Sequence, residues 1–560
     1  MKILFSDKKQ DYSPAFFCTN YFGKSINNFV IFLMNQNKKI LNGSNILLIA
    51  SIILLFAYSA IYIDLNSYEI EGTRYFSLFD DEMISMRYAE NIANGNGPVW
   101  NPGTEPVEGF SNPLWVYLMA GVHLLPIVKA KISLIFQILG VVLLALNLFF
   151  IKRCSELLSG DDVLVVSVII IITSLYLPLN NWSIQGLEVS LITLLISWSL
   201  YLTLKNQNEN KFSNWQLILP AIAIWVRMDS LLIYMVFFIF LFLFNRDKGK
   251  EILGTGLFVL LIFLGILIGW RQYYFGEWLP NTYYLKMTGF PFFLRIYKGF
   301  YVFVKFVLYM TPFVFALPFW FYFKTKNNLL LLPISIFSIM ILYSIYIGGD
   351  SWEWWLPANR FISTTMPVFI VLSILFLRYL IALKAEKFGK PKQQLIFVCL
   401  SIVVFLAINF NSFEYLKGEL LLEKTFTEKD NRKQTLLALE SKKILKEDAV
   451  ATVVMAGTIP YFLERRCIDL LGKNDKTIAR MQVSFNKYRS YIVYNPGHEK
   501  WNYTYSIGKL KPDAVLQLWN NPISALPYLS EDYKAIKLAG FQVFLKKDSK
   551  KILWEKVIGR

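Results

Sequence analysis

Residues Pro113 to Ile151, PLWVYLMAGVHLLPIVKAKISLIFQILGVVLLALNLFFI, decide how the chain is read. The stretch is long enough to cross a bilayer twice, and whether it does so sets the side on which every later loop lies. Upstream, the first long apolar run begins at Ile46, so Ile46 to Ile63 is expected to be a signal anchor rather than a cleaved signal peptide. Downstream, apolar runs of spanning character follow at Val163–Leu179, Leu187–Leu204, Trp215–Val226, Leu231–Phe244, Ile252–Trp270, Phe300–Phe323, Leu329–Ile347, Phe361–Leu377 and Leu395–Phe410. If Pro113–Ile151 crosses once, the loops holding Lys152 and Arg153, Lys205 and Lys211, Arg246 to Lys250, Lys324 and Lys326, and Arg378 to Lys392 all face the cytoplasm. If it crosses twice, the positive-inside rule fails at each of them. One net crossing is therefore expected, with Pro113–Ile127 lying along or dipping into the membrane. Lys129 and Lys131 then fall on the outer side or at the interface.

The composition agrees with a membrane protein. Of 560 residues, 55% are hydrophobic and 17% charged, with a mean hydropathy of +0.43. A soluble domain has about a quarter of its residues charged. The net charge is +17, and between the apolar runs Lys and Arg cluster in the short loops, which reflects topology and contact with anionic lipid, so no nucleic-acid partner is expected. Four cysteines without a CxxC pair and two histidines predict neither a disulfide framework nor a zinc centre. The expected architecture is a polytopic α-helical membrane protein with about 11 net crossings and a C-terminal α/β domain outside the membrane. Residues 1–45 form a cytoplasmic tail, 46–410 the membrane domain with a first outer loop at 65–112, and 411–560 the soluble domain. The apolar runs Ala449–Ala456, Ala514–Leu518 and Phe541–Leu545 are its expected strands.

On this topology the chemistry-bearing stretches share the outer side. Asp80-Asp81-Glu82 follows the anchor. One carboxylate of such a cluster can act as a general base, since its neighbours and partial burial raise its proton affinity; the plainer reading makes Asp80 or Asp81 the N-cap of a helix over Met83–Ile92. The spans flanking Arg227-Met228-Asp229 are short for a bilayer, which puts that turn inside the bundle, where charge is costly and usually functional. Arg227 is a planar phosphate ligand or the structural partner of Asp229. Tyr274 to Lys286 mixes aromatic rings with Asn281, Thr282 and Lys286, which suits a sugar; an interfacial aromatic belt is the alternative for the rings. Gly348-Gly349-Asp350, the tryptophans that follow and Asn359-Arg360-Phe361 repeat the theme. Glu188 opens a span, and His498 stands alone in Pro496-Gly497-His498-Glu499-Lys500.

In order and spacing these motifs resemble the polytopic GT-C glycosyltransferases that take sugar from a polyprenyl-phosphate carrier. The resemblance is strongest to the branch containing the mycobacterial terminal arabinofuranosyltransferase. It rests on Asp80 to Trp115, Gly186-Leu187-Glu188-Val189, Arg227-Met228-Asp229-Ser230, Tyr274 to Lys286, Gly348-Gly349-Asp350 with Arg360-Phe361, and, in the tail, Gly457 to Tyr461, Asp469-Leu470-Leu471-Gly472, Pro496 to Lys500 and Lys511-Pro512-Asp513. It implies an inverting hexosyl or pentosyl transfer on the outer face of a bacterial inner membrane, to a glycan, lipid or protein acceptor. Asp80 or Asp81 would be the base, and Arg227, Lys286 and Arg360 the ligands of the donor phosphate. Arg87, Glu188, Asp229, Asn281, Tyr283, Asp350 and His498 would contact substrate or orient those cations. No cofactor or metal is implied, although an acidic cluster can hold a divalent ion. A transporter or flippase of lipid-linked saccharides is the rival, and would be expected to carry an internal repeat and charge toward both faces.

Overall fold

The computed structural model describes residues 23–351, 358–384, 389–409, 413–483 and 495–558. The tail before Gly23, the tryptophan run at 352–355 and the expected domain boundary at 410/411 lie outside the described residues. Helix α1 spans Gly23–Asn66, so it begins well before the expected anchor, and its apolar part is Gly43–Asn66. A small hairpin (β1 Tyr68–Ile70, β2 Thr73–Tyr75) leads to α2, Asp80–Ala93. The deciding segment then resolves into α3, Pro113–His123, and α4, Lys129–Ser159. At 1.5 Å per residue α3 is roughly 16 Å long and α4 roughly 45 Å, so α4 alone exceeds the bilayer core of about 30 Å. Lys129 Nζ pairs with Glu90 Oε1 of α2 at 2.5 Å and Glu464 Oε1 of the C-terminal region at 2.9 Å. The start of α4 therefore shares an end of the bundle with the first loop and the tail, as one net crossing requires.

The remaining bundle consists of α5 (Val163–Ser174), α6 (Leu177–Ile184), α7 (Val189–Asn208), α8 (Trp215–Val226), α9 (Ser230–Phe244), α10 (Gly249–Phe275), α12 (Phe292–Met310), α13 (Pro312–Thr325), α14 (Leu331–Ile347), α16 (Met366–Ala382) and α17 (Lys390–Asn409). Among the described residues six helices are long and apolar enough to cross a membrane alone, and two bent pairs and three shorter apolar helices accompany them. Two expected spans are broken. α5 and α6 bend by 45° before Pro178, and α12 and α13 by 93° at Thr311. Proline cannot donate into the helix before it, and Thr311, at φ 67°, instead accepts from Val314 N to start the next one. Pro367 likewise separates α15, Arg360–Ser363, from α16. At the opposite end of the bundle the basic loops meet acids and carbonyls: Arg378 Nε donates to Asp162 at 2.9 Å and Lys248 Nζ to Asn210 O at 2.6 Å.

The C-terminal unit holds a five-stranded sheet in the order β4-β3-β5-β7-β6. β3 (Val450–Val453) is parallel to β4 (Arg466–Asp469) and β5 (Ala514–Val515), and the hairpin β6 (Tyr533–Leu538) with β7 (Phe541–Lys546) closes antiparallel on β5. One cluster of its core, with Leu470, Leu471, Tyr503 and Leu529, is its own, and a second is shared. Met83, Met86, Tyr88, Trp100, Phe110 and Trp115 of the first loop and α3 pack into one cluster with Ala451, Val453, Ile459, Tyr461 and Phe462. Two stretches more than three hundred residues apart thus fold as one cap over the bundle.

Candidate active site

The first turn of α2 concentrates three carboxylates where the backbone N–H groups favour negative charge. The expected capping role fails, because the helix begins at Asp80 and its N-cap is Phe79, which accepts no side-chain bond. Phe79 is instead pinned to the bundle: its N–H donates to Gln185 O at 2.9 Å and its ring meets Trp182 edge-on at 5.7 Å. Gly186, at φ +87°, makes this approach possible, since a Cβ there would stand 2.7 Å from the Leu78 side chain. The acids are thereby free to look away from their own helix.

They look in different directions. Asp80 accepts from Thr458 N at 2.8 Å and Gly457 N at 3.3 Å, so it clasps the start of α20 (Thr458–Leu463) in the C-terminal unit. A Cβ on Gly457 would come within 2.0 Å of Asp80 O, which shows how closely the two backbones meet. Burial raises the Asp80 pKa, against the pull of the Thr458 amide and Lys473. Asp81 faces a cavity of about 540 Å³ that Asp80 does not line. Lys473 holds one of its oxygens and Arg360 Nη1 the other at 3.0 Å. Burial pushes the Asp81 carboxyl up, but Lys473 and Arg360 outweigh it and hold it well below the usual carboxylate range. Asp350 grips the other edge of Arg360 through Nε at 2.9 Å and Nη2 at 3.0 Å, the two-pronged geometry that fixes a guanidinium plane.

Lys286, on α11 (Asn281–Met287), lines the same cavity and has no ion-pair partner among the described residues. Burial and then the nearby Arg360 lower its pKa to about 8. His498 lines the wall too; burial and Lys473 push its pKa down to about 4, so its ring is neutral at neutral pH. Deeper in, Arg227 Nε donates to Asp229 Oδ1 at 2.7 Å and Nη1 to Glu188 Oε1 at 3.1 Å, over the face of Phe361. Its Nη2 and Asp229 Oδ2 are buried without a hydrogen-bond partner among the described residues. Asn112 Nδ2 bridges Glu82 Oε2 and Glu188 Oε2 at 3.1 and 3.2 Å. Burial, then Glu188 and Asp81, raise the Glu82 pKa well above its ordinary value. The cavity thus has an anionic end with both donors and acceptors, and a cationic end beside Asp81.

Of the residues expected at the site, Asp81, Glu188, Arg227, Asp229, Tyr283, Lys286, Arg360 and His498 line the cavity. Asp350 stands behind Arg360. Arg87 and Asn281 are elsewhere. The Arg87 guanidinium donates to Trp100 O, Asn101 Oδ1, Pro460 O and Arg465 O, four of its five N–H groups, joining the first loop to the C-terminal unit. Asn281 Nδ2 donates to Gly472 O and Lys473 O, both at 2.9 Å, and its Oδ1 accepts from Arg480. Lys473, Glu82 and Asn112 were not singled out from the sequence as separate site residues. Lys473 directly follows the motif Asp469-Leu470-Leu471-Gly472, the one sequence signal that could have drawn attention to it. A further support is the pair Glu108–Arg271, buried at 1% and 0% side-chain exposure with Nε to Oε2 at 2.8 Å; Glu108 O accepts from Asn281 N and so places α11.

The same cavity has an apolar wall between α9 and α14, formed by Leu231, Leu232, Ile339 and Leu342, which makes it a groove on that side. Leu342 is 58% exposed, so the groove opens on the flank of the bundle, where lipid would lie.

No protein-family model matches the sequence, and no curated protein matches it. Among solved structures, ArnT from Cupriavidus metallidurans bound to undecaprenyl phosphate aligns with a TM-score of 0.54 at 12% identity, over 90% of this chain and 98% of that one. The apo state of the same protein gives 0.52 at 11%, over 88% and 97%. The Archaeoglobus fulgidus oligosaccharyltransferase in its apo form gives 0.47 at 10%, over 90% and 75%. At these identities the likeness is one of fold, and the fold this chain shares along nine-tenths of its length with ArnT is the GT-C fold.

Proposed function

We propose that the chain is a membrane glycosyltransferase that moves a hexosyl or pentosyl unit from a polyprenyl-phosphate carrier to an acceptor hydroxyl, with inversion at the anomeric carbon. The observation that carries this reading is a single cavity whose lining combines a carboxylate, Asp81, the cations held on it and an apolar groove that opens on the bundle flank. A polyprenyl chain fits the groove, its phosphate fits the cations, and a sugar reaches toward Glu82, Glu188, Arg227 and Asp229. The shared fold with ArnT, solved with undecaprenyl phosphate, supports a lipid-linked donor.

In this reaction the acceptor oxygen bonds to the anomeric carbon and the bond from that carbon to the phosphate oxygen breaks, its electron pair staying on phosphate. The proton of the acceptor hydroxyl passes to Asp81. Polyprenyl phosphate is a good leaving group, so the site needs positive charge beside it more than a general acid. Lys286 and Arg360 supply that charge, while Arg227, already between two carboxylates, serves the sugar end. Asp81 rather than Asp80 is the base, because Asp80 spends both oxygens on backbone amides. Both Asp81 oxygens carry cations, so no divalent metal is called for. The basic loops at the far end of the bundle favour a cytoplasmic end there, with the cavity and C-terminal unit outside a bacterial inner membrane. Motif order favours the terminal arabinofuranosyltransferase branch, with a glycan, lipid or protein acceptor. Collection of the charged groups at one cavity argues against a flippase.

The test is transfer by the purified protein in proteoliposomes from a panel of polyprenyl-monophosphate sugars. Release of polyprenyl phosphate with one donor and loss of turnover in Asp81→Asn are expected. A protein that is folded and transfers from none of them refutes the reading.

A further inference from the structure

Lys473 enters the cavity from the C-terminal unit, on the turn that follows β4, and three separate elements fix the backbone of that turn. Asp469, buried at the end of β4, accepts from Leu471 N at 2.9 Å and Gly472 N at 3.1 Å with one oxygen, and from Asn474 N at 2.8 Å with the other. Tyr88 of α2 donates its hydroxyl to Asn474 Oδ1 at 2.9 Å. Asn281 of α11 takes the carbonyls of Gly472 and Lys473. A turn whose own groups are committed this fully has one side chain to offer the cavity, and it is the ammonium of Lys473, set on Asp81.

Lys473 and Arg360 both hold Asp81, one on each oxygen, and Lys286 lines the same cavity. A carboxylate held by two cations is a weak base, and Asp81 in this arrangement is poorly suited to take a proton from a hydroxyl. An ammonium is a compact point charge with three donors and a flexible stem, so it can change partner without the plane-matching a guanidinium needs. Arg360 cannot follow easily, because Asp350 fixes its plane.

Resting on the glycosyl transfer proposed above, we propose that Lys473 is a ligand of the donor phosphate that changes partner: it neutralises Asp81 in the free protein and passes to a phosphate oxygen when the donor enters. The exchange does two things. It restores proton affinity to Asp81 only when a donor is present, so the base acts after the donor is seated. It also puts a cation where charge grows, since the phosphate goes from one negative charge as a diester to two as the departing monoester. The soluble unit then belongs to the catalytic centre, and Asn281 is a positioning residue acting through the turn.

The test is binding of farnesyl phosphate and of farnesol to the full-length protein in detergent micelles, read by tryptophan fluorescence. Losing one charge-assisted contact predicts a Kd for farnesyl phosphate raised about tenfold or more in Lys473→Gln, with farnesol unaffected and Lys473→Arg restoring most of the affinity. Asp81→Asn compared with Asp81→Asn/Lys473→Gln gives the same reading in a background where the lysine has lost its resting partner. Removing both members of the pair leaves neither without its partner, so this background remains usable if Lys473→Gln does not fold. Equal affinity for farnesyl phosphate with and without the lysine, in either background, overturns the inference and leaves the transferase reading standing. A wild type that binds the phosphate no better than the alcohol removes the polyprenyl-phosphate donor, and the inference with it.

Discussion

Replacing each of two adjacent aspartates by asparagine separates their roles. In Asp81→Asn the cavity keeps its shape and cations but loses the group that takes the acceptor proton. General bases contribute about 10²- to 10⁴-fold, so kcat should fall by that factor, about 3 to 5 kcal/mol of barrier. Donor KM should hold or fall, because Lys473 and Arg360 no longer have Asp81 as a competing partner. In Asp80→Asn the amide oxygen can still accept from Thr458 N, but the amide nitrogen then faces Gly457 N, donor against donor. One unsatisfied group costs about 1 to 3 kcal/mol of stability. The melting temperature should fall while kcat of the folded protein stays within about threefold. The assay is transfer of radiolabelled sugar from a polyprenyl-phosphate donor in proteoliposomes, beside thermal unfolding in detergent. A collapse of kcat in Asp80→Asn with turnover kept in Asp81→Asn would reverse the assignment and refute the reasoning from hydrogen-bond partners.

Other outcomes follow from the same geometry. Lys286, with its pKa lowered to about 8, loses charge as the pH rises through that value, so kcat/KM for donor should drop on the alkaline side; Lys286→Arg should move the drop to higher pH. Burial pushes the Glu108 carboxyl up to about 7 against the pull of Arg271. From the usual carboxylate range up to about 7 the folded protein then binds more protons than the unfolded one, so stability falls as the pH rises through that window, and Glu108→Gln should flatten the fall in the melting temperature. Arg271→Met alone should cost about 3 kcal/mol or more in unfolding measurements, and Arg271→Met/Glu108→Gln much less. Leu342→Trp should narrow the groove and raise donor KM more for a long polyprenyl chain than for a short one. Chelation of divalent ions should leave turnover unchanged; a loss restored by magnesium would show that Asp81 is not held by cations alone.

What could be read from the sequence was what adjacent residues encode. Apolar runs and basic loops gave the bundle and its one-ended polar chemistry, because hydrophobicity and charge act locally along each span. Breaks at Thr311 and before Pro178 needed only the prolines to be weighed against apolar length. The site was legible as a list of groups on one side. Its pairings were not, since Lys473 and Asp81 lie 392 positions apart and nothing local says that a turn after β4 reaches the first loop. For the same reason Asp80 and Asp81 were indistinguishable: neighbours on a helix point about 100° apart, and only the partners on each side give them different work. Arg87 and Asn281 carry the polar groups a sugar would use, yet their donors meet backbone carbonyls that only the folded cap brings near.

The measurement that tests the account most directly is a structure of the protein with bound polyprenyl phosphate. The phosphate is predicted within hydrogen-bond distance of the nitrogens of Lys286, Arg360 and Lys473, with the chain leaving between Leu232 and Leu342. A phosphate bound away from Asp81, or a chain leaving between other helices, would contradict it.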